Sequence, residues 1–174
     1  MVGTGMSEAD HNSVAHSDYS RGSVGGLLSY IEREQGTTLR DRHGNEMDEK
    51  DIQQMIEKSE KHQMSRQIVI SPENSEDLSR DELAEVGKKT LRETLGDREG
   101  VDYAYGVHMD GGDRPHVQAA ATGRANSPGD PLWLDSDDLE QMRDIGHRKS
   151  QQVNKHISLK KVVKKTATKG LSRG

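Results

Sequence analysis

Tyr103-Ala104-Tyr105-Gly106-Val107-His108 and His116-Val117-Gln118-Ala119-Ala120-Ala121-Thr122 are two strand-like stretches separated by Met109-Asp110-Gly111-Gly112-Asp113-Arg114-Pro115. The separator is dense in Gly, Asp and Pro, which turn the chain. The pair therefore reads as a β-hairpin. Residues i and i+2 of a strand point to one face, so His116 and Gln118 share a face and Val117 turns to the other. If the strands pair across the turn, His108 sits beside them. Two imidazoles and an amide oxygen leave open positions for a divalent cation such as Mg²⁺ or Mn²⁺. The competing reading is two solvent-facing histidines flanking a turn.

Upstream, Gln67-Ile68-Val69-Ile70-Ser71 is β-branched and stopped by Pro72, and reads as a strand. Leu27, Tyr30 and Ile31 fall on one helical face of a short segment opened by Gly25-Gly26 and stopped by Gly36. Residues 40–45 read as a turn. Asp48 caps a polar helix with Ile52, Met55 and Ile56 on one side. Ser79-Arg80-Asp81-Glu82 is a capping box for a helix carrying Leu83, Val86, Leu91 and Leu95. Leu132-Trp133-Leu134 reads as a short edge strand, and another helix starts near Ser136. Helices alternating with mostly antiparallel strands give an α+β fold, a sheet packed with helices. The expected organisation is a flexible N-terminus over 1–22, one domain over 23–150 and a basic, flexible tail over 151–174.

Composition bounds the function. The chain has 174 residues, 29% of them apolar, with no Phe and one Trp, so the core is small. Without cysteine there is neither a disulfide framework nor a thiolate metal site. No apolar run is long enough to span a membrane, and residues 1–12 lack a signal pattern, so a cytoplasmic protein is expected. Net charge is −5, yet no acidic residue follows Asp144. The tail, with Lys160, Lys161, Lys164 and Lys165, reads either as a phosphate-binding arm or as a solvated terminus without a partner.

Four segments, in order, resemble the relaxases, the Mob-type HUH endonucleases of plasmid mobilisation and conjugative transfer. Leu27-Leu28-Ser29-Tyr30-Ile31 resembles the segment that carries the nucleophilic tyrosine. Arg66 to Glu73 resembles the strand that ends in a serine near DNA, here Ser71. Tyr105 to Asp110 followed by Arg114 to Gln118 resembles the metal motif, His-x-Asp and then His-hydrophobe-His. Leu132 to Arg143 resembles the helix after that motif. The likeness covers roughly residues 22–150. It departs at Gln118, where most relaxases have His; glutamine variants occur in the wider HUH group, and an amide oxygen suits a hard cation.

The resemblance implies an HUH-type, ferredoxin-like sandwich and a nicking enzyme specific for site and strand. Tyr30 is the nucleophile it implies, with Tyr19 as the other candidate in the same region. His108, His116 and Gln118 would hold Mg²⁺ or Mn²⁺. Asp110 would orient a ligand histidine, or simply start the turn. Arg66, Arg114, Arg124 and the basic tail would contact phosphates; Trp133 could stack on a base or cover a sheet edge. The implied partners are single-stranded DNA at an origin of transfer and accessory mobilisation proteins, with no membrane. In rolling-circle initiators the catalytic tyrosine follows the metal motif, whereas here no tyrosine occurs after Tyr105. A relaxase-like module that binds DNA or a partner without cleaving is the alternative, and an unrelated α+β protein with a structural hairpin is a third reading.

Overall fold

The computed structural model describes residues 11–21, 24–34, 36–62, 64–109 and 114–153. Four strands form one antiparallel sheet: β1 (Val14–Arg21), β2 (Met64–Ser71), β3 (Asp102–His108) and β4 (His116–Thr122), in spatial order β1-β2-β4-β3. Helix α1 (Gly25–Glu32) and α2 (Glu49–Glu60) lie between β1 and β2 in the chain, and α3 (Arg80–Leu95) lies between β2 and β3. Residues 136–153 are helical and are called α4.

Taken from β2, the chain runs strand-helix-strand-strand-helix, and β1 stands in space where a closing strand would go. This is the ferredoxin-like arrangement with the last strand moved to the front of the chain. Strand β4 lies between β2 and β3, which run parallel to each other. The expected α+β sandwich is therefore present. The mobile N-terminus is corrected in part, because residues 14–21 form β1 and pair along the whole of β2. Leu132–Leu134 is not a strand; it lies in the loop before α4.

The two capped helices form as expected. Asp48 exchanges hydrogen bonds with Asp51 at the start of α2, and Ser79 does the same with Glu82 at the start of α3. Asp135 and Asp138 make a third such pair, opening α4.

Each face of the sheet has its own core. On one face Ile68, Ile70, Tyr103, Tyr105, Val107, Val117, Ala119 and Ala121 pack under α3 and α4. Gly87 of α3 lies so close that a Cβ there would come 2.8 Å from Val117. On the other face Ala104 and Ala120 pack with Val24, Leu28 and Ile31 of the α1 region and with Met55 of α2. The buried stripe of α1 is thus 24, 28, 31, spaced i, i+4, i+7. Tyr30 lies off it, 45% exposed, rather than completing it as the sequence suggested.

Gly106 sets how closely α1 approaches the sheet. A Cβ at this position would come 2.7 Å from Ile31 Cγ2 and 2.7 Å from Thr37 Cγ2. Gly106→Ala is expected to cost about 1–3 kcal/mol by overpacking and to push the α1 end outward, read as a lowered Tm. The free edge of β3 is covered by the turn at 40–46, where Arg40 exchanges both backbone hydrogen bonds with Tyr105.

A histidine pair ties the start of β1 to α4. His11 and His147 stack with centroids 4.0 Å apart and planes within 1°. His11 donates from Nε2 to Asp144 at 2.9 Å, and the Ser13 hydroxyl meets His147 Nδ1 at 3.2 Å. Arg143 donates to the backbone carbonyls of His11 and Ser13. Burial, with His11 as the next cause, holds the His147 imidazole below its ordinary value, against the opposing pull of Glu73 and Asp144. A histidine depressed in the folded state favours folding fully above its unfolded value of about 6.5 and less as pH falls below it. The Tm is expected to drop between about pH 7 and 5.5, and His147→Asn to flatten part of that drop.

Candidate metal and nucleophile site

The hairpin pairs as the sequence implied, with His108 directly opposite His116 and Gly106 opposite Gln118. Side chains at 116, 118 and 108 therefore meet on the α1 face of the sheet. The rings of His108 and His116 stand edge to face, with centroids 5.2 Å apart. The ring of Tyr30 stands edge to face with His108, at 5.5 Å. Tyr30 and His116 border a groove of about 400 Å³ lined also by His16, Gln67, Ser71, Arg114 and Gln118, with the His108 ring between them by its edge contacts to both.

The positions follow from local structure. A helix leaves its last carbonyls without intrahelical partners. The Ile31 carbonyl, at the end of α1, is met by His108 Nε2 at 3.0 Å. One hydrogen bond thus ties β3 to the turn of helix that carries Tyr30. His116 Nδ1 is held by the Arg114 carbonyl at 3.0 Å. Each imidazole therefore commits one nitrogen to a backbone carbonyl, the arrangement that in a neutral ring leaves the other nitrogen's lone pair for a metal. Gln118 is 3% exposed and donates from Nε2 to Gln67 Oε1 at 3.3 Å, so its own Oε1 remains as an acceptor. The donor set of two imidazole nitrogens and one amide oxygen fits a divalent cation with open positions. Among the described residues no cluster of three or more His, Cys, Asp or Glu could hold a metal; the third donor here is an amide.

Ser71 lies on the same face at the mouth of the groove, where its hydroxyl donates to the Pro115 carbonyl at 2.9 Å and accepts from Arg114 Nε at 3.2 Å. Arg114 also donates to the Asn12 carbonyl at 2.9 Å, bracing β1 against β4, while lining the groove.

Other expected residues lie elsewhere. Tyr19 pairs in register with Arg66 and, like it, points to the α3–α4 face, away from the histidines. This placement separates the two candidate tyrosines: only Tyr30 borders the groove. Arg66 does not present its guanidinium to solvent. It is 5% exposed, lies 3.8 Å over the Tyr19 ring and donates to the Leu134 carbonyl. Residue alternation places it opposite the groove, which corrects its assignment as a phosphate contact. Arg124 is exposed, follows β4 at the end away from His116 and pairs with Asp130 at 3.3 Å. Trp133 is half-buried in the loop before α4, away from the groove, and its carbonyl accepts from Arg98 at 3.1 Å. Tyr103 and Tyr105 are buried in the sheet core, and burial pushes the Tyr105 phenol up to about 12. Asp110, Lys160, Lys161, Lys164 and Lys165 lie outside the described residues.

Sequence reasoning missed three residues. His16 enters the groove from β1, whose small and polar residues gave no strand signal. Arg33 lies one helical turn beyond Tyr30, its guanidinium 5.9 Å from the ring centroid, a position set by i, i+3 spacing alone. Gln67 reaches Gln118 across the strand pair and has no signal in a single sequence.

No family model matches the chain, and no curated protein matches it. Among the described residues, no helix is long and apolar enough to cross a membrane.

Proposed function

We propose that this protein is a relaxase-like, metal-dependent endonuclease of the HUH type that nicks single-stranded DNA at an origin of transfer. The observation that carries this reading is the meeting of Tyr30, His108 and His116 on one sheet face, with ring centroids 5.5 and 5.2 Å apart. Two residues of that set come from the hairpin and one from a helix some eighty positions earlier, so their proximity is a property of the fold. The permuted ferredoxin-like order supports the same reading.

In this account the Tyr30 hydroxyl oxygen bonds to the scissile phosphorus as the bond from phosphorus to the 3′ oxygen breaks. The phenol proton passes to solvent, and the 3′ oxygen leaves as a hydroxyl. The product is a 5′-phosphotyrosyl adduct, and the free 3′-hydroxyl can reverse the step. A phenol is a weak nucleophile at neutral pH, so positioning matters. Tyr30 is held by the buried Leu28 and Ile31 and by the His108–Ile31 hydrogen bond. His108, His116 and Gln118 would hold Mg²⁺ or Mn²⁺, which when bound would draw charge from a non-bridging phosphate oxygen. Arg114 lines the groove and Arg33 stands beside Tyr30, and both would bring positive charge to the flanking phosphates.

The test is incubation with a single-stranded oligonucleotide library and Mn²⁺, followed by a denaturing gel. A covalent protein–DNA band that disappears with chelator supports the enzyme. DNA binding without such a band on any sequence favours the non-cleaving module, for which Gln118 in the third ligand position is the specific observation.

A further inference from the structure

Three polar side chains cross the sheet on the groove face in one line. Asp18 on β1 pairs in register with Gln67 on β2, and Gln67 is diagonal to Gln118 on β4. Gln67 Nε2 donates to Asp18 Oδ2 at 3.5 Å, and Gln118 Nε2 donates to Gln67 Oε1 at 3.3 Å. The direction of this chain is set at its Asp18 end. A carboxylate only accepts, so Gln67 must turn its NH₂ toward Asp18 and its oxygen toward Gln118. Gln118 must then give its own NH₂ to Gln67, which fixes its Oε1 as the outward atom.

We infer that Gln67, polarised by Asp18, is a positioning residue that holds Gln118 Oε1 as an oxygen ligand beside His108 and His116. The inference rests on the metal site proposed above. An amide can present either end to a cation, and only the oxygen coordinates; the NH₂ end repels it. An imidazole at position 118 would not need this control, because its ring presents a lone-pair nitrogen whichever neighbour lies on β2. The relay therefore accounts for how glutamine can serve where a histidine is usual.

The test is Mn²⁺ binding to the full chain, followed by the electron paramagnetic resonance signal of free Mn²⁺, with no DNA present. Gln67→Leu preserves size and removes the acceptor; it is expected to weaken binding by about 10–100-fold. Gln67→Glu keeps an acceptor facing Gln118 and is expected to retain binding. In a Gln118→His background the Gln67→Leu change is expected to cost little, which a merely structural role for Gln67 would not produce. Wild-type affinity in Gln67→Leu, or an equal loss in both backgrounds, overturns the inference while leaving the metal site standing. No Mn²⁺ binding by the wild type, with the fold intact by circular dichroism, removes the metal site and the relay together.

Discussion

Tyr30→Phe is expected to abolish the proposed covalent DNA adduct, by at least about 10³-fold in rate, and to leave Mn²⁺ binding and the Tm near wild type. The expectation follows from exposure and from neighbours. The phenol is 45% exposed, so its hydroxyl is not a core hydrogen bond whose loss would unfold α1. Its ring stands 5.5 Å from that of His108, and Phe keeps this edge contact. Only the attacking oxygen is removed. Tyr19→Phe is the matched control, since Tyr19 stacks with Arg66 on the other face and is expected to leave the adduct unchanged. The pair is read on one denaturing gel against the best oligonucleotide from the library.

His116→Ala is expected to act differently: to weaken Mn²⁺ binding roughly 100-fold or more and to remove the proposed adduct with it. The ring nitrogen facing the groove is lost, while the strand backbone and the His108–Ile31 hydrogen bond stay in place. His116 is half-buried rather than part of either apolar core, so the truncation should cost little stability. Isothermal titration with Mn²⁺ reads the affinity directly. Gln118→His is expected to keep or tighten binding in the same experiment, because a third imidazole supplies a nitrogen lone pair in place of the amide oxygen. Together these changes separate a ligand from a nucleophile: one loses metal and adduct, the other adduct alone.

How much of this was legible in the sequence depends on the residue. The hairpin was legible because the turn residues between His108 and His116 are so concentrated, and because β-pairing makes opposite residues meet. An N-cap at Asp48 and a capping box at Ser79–Glu82 marked two helices for the same reason, a local hydrogen-bond pattern written in adjacent residues. Strand β1 was hidden, since His16, Ser17, Asp18 and Ser20 carry little β-propensity and the strand is held by β2 rather than by its own sequence. Tyr30 was read as part of an apolar stripe; the real stripe runs through Val24, Leu28 and Ile31, one step round the helix. Arg66 looked like a phosphate contact because charge was visible and facing was not. Its alternation with Ile68 and Ile70 places it on the α3–α4 face, where it meets the loop before α4. The choice between Tyr19 and Tyr30 likewise depended on which face of the sheet each side chain takes, which becomes fixed only once β1 is known to be a strand.

The most direct test of the central claim is mass spectrometry of the trypsin-digested covalent complex. Cleavage after Arg21 and Arg33 isolates residues 22–33, a peptide with Tyr30 as its sole tyrosine. The account predicts that the nucleotide mass is carried by this peptide, at Tyr30, and only when the divalent metal was present during the reaction. Nucleotide on the peptide that contains Tyr19, on either hairpin tyrosine, or formed equally well in chelator would contradict it.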